Sequence, residues 1–286
     1  MTAAALALTA CEAPPAGPTY VPFEPYEPAA GTPEAIAYEA GLTRYLGETR
    51  VVEESVYRGA TAFEFDPATG PMCMRGAPFT ASIRDLAGDE LLIFLQGGGA
   101  CWSDFCFAIT TAPRGIPPTN LTELDPRNPL ADADVLYLPY CDGSLFSGDA
   151  AIDEDGDGTP DRIHRGLANL SAALAVGFER FPAPSRIVLA GSSGGGFGTI
   201  LAVFLVRYVY PDVPIFVLND AGVGVAHPDD PMFVSGLIDE FGARSFLPAD
   251  CPDCIVDGNI TGLVDYALDH DPNLRVATMS SHYDFI

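Results

Sequence analysis

Short apolar runs alternate along this chain with longer stretches in which apolar residues recur at helical spacing. The runs predict strands at residues 51–57, 62–65, 91–95, 135–138, 186–189, 215–218 and 274–279, and the longer stretches predict helices at 166–181, 195–209, 232–241 and 261–268. Apolar strands that alternate with helices are typical of an α/β fold, here with a mostly parallel central sheet and helices on both faces. Active residues are expected at the carboxyl ends of those strands.

One such strand end carries a candidate nucleophile. The strand predicted at 186–189 leads into Gly191-Ser192-Ser193-Gly194-Gly195, which fits the G-x-S-x-G pattern of a nucleophile elbow. Glycines are needed in this sharp turn because neighbouring Cβ atoms would clash. Ser193 is therefore the predicted nucleophile. The alternative is a tight turn that packs a helix on a sheet and has no chemical role.

A second glycine-rich turn follows the strand predicted at 91–95. Its sequence, Leu95-Gln96-Gly97-Gly98-Gly99-Ala100-Cys101-Trp102, lets the backbone approach a substrate closely. Backbone N–H groups in such a turn can stabilise the oxyanion of an acyl-transfer reaction, together with the N–H that follows the nucleophile. Gly98, Gly99 and Gly194 are the predicted donors, and a plain turn is the alternative.

Five motifs follow one another along the chain in a distinctive order. After the two glycine-rich turns and the intervening Leu138-Pro139-Tyr140-Cys141-Asp142-Gly143 come Asn219-Asp220-Ala221-Gly222 and Tyr283-Asp284. From about Cys73 to the last residue this set resembles the pectin acetylesterase family, which also contains the Notum carboxylesterases. The resemblance implies an α/β-hydrolase fold and a serine esterase mechanism without a catalytic metal or organic cofactor. It assigns Asp284 as the triad acid and ranks Asp220 second.

The catalytic base is the point at which the sequence departs from this pattern. The triad order of the fold is serine, acid, histidine, and no histidine follows Asp284. His227 is the better substitute, because His282 lies too close to Asp284 to bridge that carboxylate to Ser193; His164 and His270 are expected in loops or on the surface. The preferred interpretation is a hydrolase domain that lacks its C-terminal elements. A fragment without its base is expected to be nearly inactive.

Net charge limits the partners that this chain can have. The formal charge is −25, and all basic residues are arginine. Such a surface repels nucleic acid phosphates and anionic lipid. The expected partner is an acylated carbohydrate or a small ester, and the expected state is a monomer. The predicted activity is removal of acyl groups, expected to be acetyl, from a polysaccharide such as pectin. The alternatives are a lipid or polyester esterase, or a non-catalytic, calcium-ordered surface binding protein.

The amino terminus resembles the signal of a bacterial lipoprotein. Leu8-Thr9-Ala10-Cys11 is similar to a lipobox, which predicts lipidation at Cys11, although no positive charge precedes it. A coincidental apolar tail is the alternative. Residues 1–11 are thus predicted to be signal-like, 12–35 to form an extended Pro/Ala/Glu-rich tether, and 36–286 to form the hydrolase domain. The expected location is the cell envelope, periplasmic or cell-surface, with the lipid as its one membrane contact.

Six further cysteines predict a disulfide framework, as expected for an exported chain. The close pairs Cys101–Cys106 and Cys251–Cys254 suggest local bridges, which leaves Cys73–Cys141. A zinc site is the rival interpretation, but the spacings lack its doubled C-x-x-C or histidine ligands. A redox role for Cys251-Pro252-Asp253-Cys254 lacks a thioredoxin-like context.

An acidic segment at 153–161 predicts a calcium site. Oxygen ligands are available from Asp153, Asp155, Asp157 and Asp161 and from the Thr159 carbonyl, with glycine at position six of the loop. His164 stands where a complete EF-hand has a bidentate glutamate, so the loop is similar to the shorter loops of secreted proteins. The expected role of calcium is structural, and a solvated acidic turn is the alternative.

Overall fold

The computed structural model describes residues 22–226 and 228–281. Five α-helices are present in this part of the chain: α1 (Pro33–Glu39), α2 (Gly166–Arg180), α3 (Gly194–Val209), α4 (Phe233–Glu240) and α5 (Gly262–His270). Its strands are β1 (Val51–Tyr57), β2 (Ala60–Phe65), β3 (Thr80–Arg84), β4 (Glu90–Leu95), β5 (Gly99–Trp102), β6 (Phe105–Ala108), β7 (Asp134–Leu138), β8 (Ala150–Ile152), β9 (Arg162–His164), β10 (Arg186–Ser192), β11 (Ile215–Asp220) and β12 (Leu274–Met279). None of the described helices combines the length and apolar character needed to span a bilayer.

Eight strands form one mixed sheet in the order β1-β2-β3-β7-β4-β10-β11-β12. The five strands from β7 to β12 in this order are parallel, while β1, β2 and β3 extend the sheet in antiparallel fashion. The α/β fold with a mostly parallel sheet is thereby confirmed. Two short hairpins, β5-β6 and β8-β9, lie outside the sheet and follow strands β4 and β7 in the chain.

The two faces of the sheet are covered differently. Alternate residues of the parallel strands, such as Ile93 and Leu189, join the main core together with helices α2, α3 and α5. On the opposite face, residues such as Leu92 and Tyr137 form a separate cluster that the irregular segment around Leu130 closes. Helices were predicted on both faces of the sheet. In the part of the chain that the structure describes, they cover the face that carries Ile93 and Leu189. A long loop takes their place on the other face.

The segment before α1 packs on the domain. Phe23 is buried and meets Phe178 edge-on at a centroid distance of 5.2 Å, and Tyr26 stacks on Tyr208 at 4.7 Å. The Tyr26 N–H also donates to the Tyr208 hydroxyl at 2.8 Å. Residues 12–35 were predicted to be an extended tether, but residues 22–35 lie against the domain because these aromatic side chains bury apolar area there. Cys11 and the rest of the predicted signal and tether lie outside the described residues.

All three predicted disulfides are confirmed. Cys73 is bonded to Cys141, Cys101 to Cys106 and Cys251 to Cys254. The first bridge joins the segment before β3 to the end of β7, over a sequence separation of 68 residues. The second closes the β5-β6 hairpin, where Cys101 and Cys106 are directly opposite each other. Each of these three bridges occupies two of the cysteines that a zinc site would have needed.

Candidate active site

Ser193 occupies the turn between β10 and α3 in a backbone conformation that a residue with a side chain rarely adopts. Its φ is +52° and its ψ is −121°. A non-glycine residue at positive φ is strained, and such strain persists where the surrounding structure imposes it. The turn therefore has the geometry of a nucleophile elbow, with the half-buried serine immediately before the N-terminus of a buried helix.

The glycines of the elbow are required by close backbone contacts. A Cβ on Gly191 would lie 2.1 Å from the carbonyl oxygen of Gly195, and one on Gly195 would lie 2.0 Å from that of Leu95. These distances are well below any van der Waals contact, so alanine at either position would force β4, β10 and α3 apart. The pattern at 191–195 thus has a packing reason at both of its outer glycines.

The end of β11 braces the elbow from the side. The Ser193 N–H donates to the carbonyl oxygen of Asp220 at 2.8 Å. The buried Asn219 side chain donates to the carbonyls of Gly196 and Gly222, at 2.8 and 2.9 Å, and accepts from the Gly222 N–H at 3.0 Å. Sequence reasoning placed Asn219 and Asp220 in a motif but gave Asn219 no role. Its role follows from contacts that join residues far apart in the chain.

The carboxylate of Asp220 is bonded to the neighbouring serine rather than to Ser193. The Ser192 hydroxyl donates to Asp220 Oδ2 at 3.0 Å. Among the described residues, the Ser193 hydroxyl makes no hydrogen bond. The Asp220 carboxylate is thus engaged with Ser192, and its ranking below Asp284 stays a prediction, because Asp284 lies outside the described residues.

The glycine loop after β4 lies directly beside the elbow. A Cβ on Gly97 would lie 3.2 Å from Ser193 Cβ, and one on Gly194 would lie 2.9 Å from the Gly99 carbonyl oxygen. Within the described ranges, neither the Gly98 N–H nor the Gly194 N–H donates a hydrogen bond. Two half-buried or buried donors next to a serine hydroxyl are the groups that an oxyanion hole needs. Gly99 adopts φ +83° and begins the β5-β6 hairpin.

A buried tyrosine that sequence reasoning missed supports this loop. A Cβ on Gly98 would lie 2.4 Å from Tyr140 Cδ1, so the ring fills the space behind the loop. The Tyr140 N–H donates to Gln96 Oε1 at 3.1 Å, and the Tyr140 hydroxyl accepts from the Leu145 N–H at 3.0 Å. Tyr140 thereby ties the glycine loop to the chain after β7. The motif at 138–143 was the signal for it, although its spacing does not specify these contacts.

Behind Tyr140 lies a buried polar cluster of Asp142, Ser144 and His164. Asp142 Oδ2 accepts from the N–H and the hydroxyl of Ser144, while Oδ1 is buried without a partner among the described residues. His164 Nδ1 lies 2.9 Å from the Asp142 carbonyl oxygen. Burial raises the pKa of Asp142 to about 6 and lowers the pKa of His164 to about 4. Both effects have the same cause, since a charged form loses its hydration in the interior.

Comparison with known proteins gives one family match. Residues 120–233 match the family model for pectinacetylesterase. The matched segment, which is less than half of the chain, is similar to pectinacetylesterases. No curated protein matches the chain. The matched segment contains Ser193, Gly194, Tyr140, Asn219 and the acidic loop. It leaves out the glycine loop at 97–99 and Asp284, so it is narrower than the resemblance from Cys73 to the last residue.

The histidines of the chain divide into two groups. His164 was predicted to lie in a loop or on the surface, and that prediction is wrong: it is fully buried in β9, because Asp142 and Arg162 supply it with polar partners. His270 ends α5, is exposed and contacts the Tyr266 carbonyl, as expected of a surface residue. Neither contacts Ser193. His227, His282 and Asp284 lie outside the described residues.

The acidic loop brings three of the four predicted aspartates together. Carboxylate oxygens of Asp153, Asp155 and Asp161 lie within 4.8 Å of one another. Asp157 is turned to its own loop, where it accepts from the Thr159 N–H at 2.7 Å. The loop is joined to the interior through Glu154, which pairs with the buried guanidinium of Arg162. Whether the cluster holds calcium stays a prediction.

Proposed function

We propose that this chain is a serine esterase that removes acetyl groups from an acetylated polysaccharide, with Ser193 as its nucleophile. The observation that carries the proposal is the strained elbow at Ser193, beside which the N–H groups of Gly98 and Gly194 have no acceptor among the described residues. The similarity of residues 120–233 to the pectinacetylesterase family supports the reaction class, that of a carboxylic ester hydrolase.

The reaction would proceed through an acyl-enzyme. The Ser193 oxygen attacks the ester carbonyl carbon while a base takes the hydroxyl proton. The N–H groups of Gly98, Gly99 and Gly194 stabilise the resulting oxyanion. The ester C–O bond then breaks, and the sugar hydroxyl leaves with the proton from the base. Water repeats the sequence on the acyl-enzyme and releases acetate.

The acid and the base of the triad come from outside the described residues in this proposal. Asp284 is the proposed acid. His164 is excluded as the base because its Nδ1 is engaged with the Asp142 carbonyl and the ring is buried between Arg162 and Phe241. We therefore assign the base to a histidine outside the described residues.

The test is labelling of the complete protein with a fluorophosphonate probe, which reacts with activated serines. Ser193→Ala should abolish labelling. Ser192→Ala is the matched control, because it removes the adjacent hydroxyl, which is bonded to Asp220, and should leave labelling of Ser193 intact. Absence of labelling in the unmodified protein, under conditions that label a known esterase, would favour the non-catalytic binding protein.

We also propose that the loop at 153–161 binds calcium for a structural purpose. The carboxylates of Asp153, Asp155 and Asp161 support this, since three like charges held within 4.8 Å repel one another unless a cation is present. Asp157 and the Thr159 carbonyl complete the proposed ligand set. The ion would order the loop that connects β8 to β9 and takes no part in the chemistry.

For location, we propose an exported bacterial lipoprotein anchored through Cys11. Three disulfides are typical of chains that fold in an oxidising compartment. The packed segment that starts at Pro22 runs past Tyr208 near the end of α3, far along the helix from Ser193 at its start. An anchor on that side would leave the elbow facing away from the membrane. Mass spectrometry of the mature amino terminus tests this assignment.

A further inference from the structure

A surface of aromatic side chains adjoins the candidate site. The β5-β6 hairpin starts at Gly99 of the glycine loop and carries Trp102, Phe105 and Phe107, of which Phe105 is 54% and Phe107 is 72% exposed. The ring centroids of Trp102 and Phe105 are 5.2 Å apart, and those of Phe105 and Phe107 are 6.5 Å apart. Phe233, at the start of α4, meets Trp102 edge-on at 5.1 Å. These four side chains are the aromatic rim.

Phe105 and Phe107 are held in place although both are exposed. The Cys101–Cys106 disulfide closes the hairpin between them and the glycine loop. Aromatic side chains held beside the glycine loop can support the rings of an extended substrate, as they do in many ligand sites.

The charges around the rim exclude one kind of extended substrate. Asp104, at the hairpin tip, and Asp230, before α4, are exposed carboxylates. Arg162 lies below the rim, but it is buried and pairs with both Glu154 and Glu240. A carboxylated polymer on this surface would therefore meet negative charge with no available cation to receive it.

The other arginines do not supply that cation either. The chain has fourteen lysine and arginine residues in total, all of them arginines, and all lie in the described part of the chain. Nine others besides Arg162 form ion pairs with carboxylates. Arg84 is opposite Val135 and Arg275 is opposite Phe216, so both lie at the amino end of the parallel strands, away from Ser193. Arg75 donates to the Asp161 carbonyl in the acidic loop, and Arg58 covers Tyr57 in the β1-β2 turn.

We infer that the acceptor is an uncharged acetylated polysaccharide that binds across the aromatic rim, and that polyuronates such as pectin are poor substrates. This inference rests on the proposed esterase function and names its substrate class. Like charges brought together at a binding surface lower both association rate and affinity. An uncharged glycan avoids that repulsion and keeps the stacking contacts with Phe105 and Phe107.

The experiment compares acetate release by the complete protein from acetylated glucomannan and from acetylated polygalacturonate of equal acetyl content. At low ionic strength, kcat/KM should be at least about tenfold higher for the uncharged polymer. Rising salt should narrow this difference by accelerating the polyuronate reaction, because screening weakens repulsion between exposed charges. p-Nitrophenyl acetate is hydrolysed in parallel as a measure of the esterase chemistry itself.

Variants separate the rim from the rest of the molecule. Phe105→Ala and Phe107→Ala should each lower kcat/KM on glucomannan about five- to tenfold, a clearly larger factor than the change in p-nitrophenyl acetate hydrolysis. Val56→Ala, at an 81% exposed position of the edge strand β1, is the control and should change neither activity. Asp104→Lys should raise activity on polygalacturonate. Asp212→Lys makes the same charge change at the far end of α3 and should not.

Three results would overturn the inference. These are equal or better hydrolysis of the polyuronate at low salt, loss of p-nitrophenyl acetate activity in the phenylalanine variants, and a preference for long-chain esters that depends on Phe105 and Phe107. Failure to hydrolyse any ester would instead overturn the proposed function. Affinity electrophoresis of Ser193→Ala through the two deacetylated polymers still tests the binding preference in that case, and stronger retardation by polygalacturonate would refute it.

Discussion

The Ser193 N–H donates a hydrogen bond to the Asp220 carbonyl oxygen, with an N···O distance of 2.8 Å, where β10 and β11 both end. This bond fixes the strained residue to the neighbouring strand, and its hydroxyl makes no hydrogen bond with any residue that the structure describes. The same carbonyl lies 2.6 Å from the position that a Cβ on Gly196 would take. The end of β11 therefore determines both the conformation of the elbow and the residue types that it accepts.

Asn219→Ala should weaken the elbow, because Asn219 is buried and braces the turn from the side. The side chain is 1% exposed and satisfies backbone groups of Gly196 and Gly222. Truncation leaves those groups buried and unpaired, which should lower the free energy of unfolding by about 2–4 kcal/mol. Denaturant titration measures this loss. The rate of fluorophosphonate labelling at Ser193 should also fall, because the turn is no longer held.

Asn128→Ala is the matched control, since Asn128 also donates to two backbone carbonyls, those of Leu121 and Glu123, in the loop before β7. It should lower stability without slowing Ser193 labelling under conditions where the protein stays folded. Labelling of Asn219→Ala at the unmodified rate would contradict the bracing role of Asn219.

Calcium should stabilise the protein through the acidic loop. At a calcium concentration 100 times the dissociation constant, the expected gain is about 2.7 kcal/mol, visible as a rise in Tm that chelation reverses. Asp155→Asn and Asp161→Asn should each reduce the shift, since both carboxylates belong to the cluster. Asp265→Asn, at an exposed position of α5, makes the same chemical change elsewhere and should keep it. An unchanged Tm at millimolar calcium would contradict the calcium site.

The parallel core could be predicted because its strands are continuous apolar runs. The strands predicted at 51–57 and 274–279 have those bounds in the structure. Strands β5, β6, β8 and β9 were missed because each has three or four residues, too few for a periodic signal. Their pairing depends on tertiary contacts, such as the Cys101–Cys106 bridge. The helical cover was predicted on both faces because apolar strands do not indicate whether a helix or a loop buries them.

The site could be predicted where its chemistry is local. Ser193 and its glycines form one short pattern, and the structure explains each glycine by a backbone clash. Tyr140 and Asn219 act through contacts with distant segments, which a single sequence does not reveal. The same limit explains the error at His164, because its environment comes from Asp142 and Phe241, which lie 22 residues before it and far beyond it.

The three disulfides should contribute unequally to stability. In the chain-entropy account, the Cys73–Cys141 bridge closes a loop of 68 residues and Cys251–Cys254 one of 3. Replacement of the first pair by alanine should cost about 4 kcal/mol, and of the second about 2 kcal/mol or less. Denaturant titrations of the two double variants measure the difference. A larger loss from the Cys251–Cys254 pair would show that native-state packing, rather than loop closure, determines the contribution.

Asp142 and His164 should give opposite contributions to the pH dependence of stability. The pKa of Asp142 rises from 3.8 to about 6 on folding, so between these values the folded state holds a proton that the unfolded chain has released. Its contribution to the free energy of unfolding therefore falls as pH rises through this window. The pKa of His164 falls from 6.5 to about 4, so in nearly the same window the unfolded chain holds the extra proton, and stability rises with pH.

The two contributions, each up to about 3 kcal/mol, should nearly cancel in the unmodified protein. Asp142→Asn leaves only the contribution of His164 to this pH dependence. The free energy of unfolding of this variant, relative to that of the unmodified protein, should therefore increase as pH rises from 4 to 6.5. His164→Gln leaves only the contribution of Asp142, so the free energy of unfolding of this variant, relative to that of the unmodified protein, should decrease over the same pH range. Denaturant titrations at several pH values, each compared with the unmodified protein, remove the background of the other carboxylates. If the relative free energy of unfolding changed with pH in the same direction in both variants, the opposite pKa shifts of Asp142 and His164 would be contradicted.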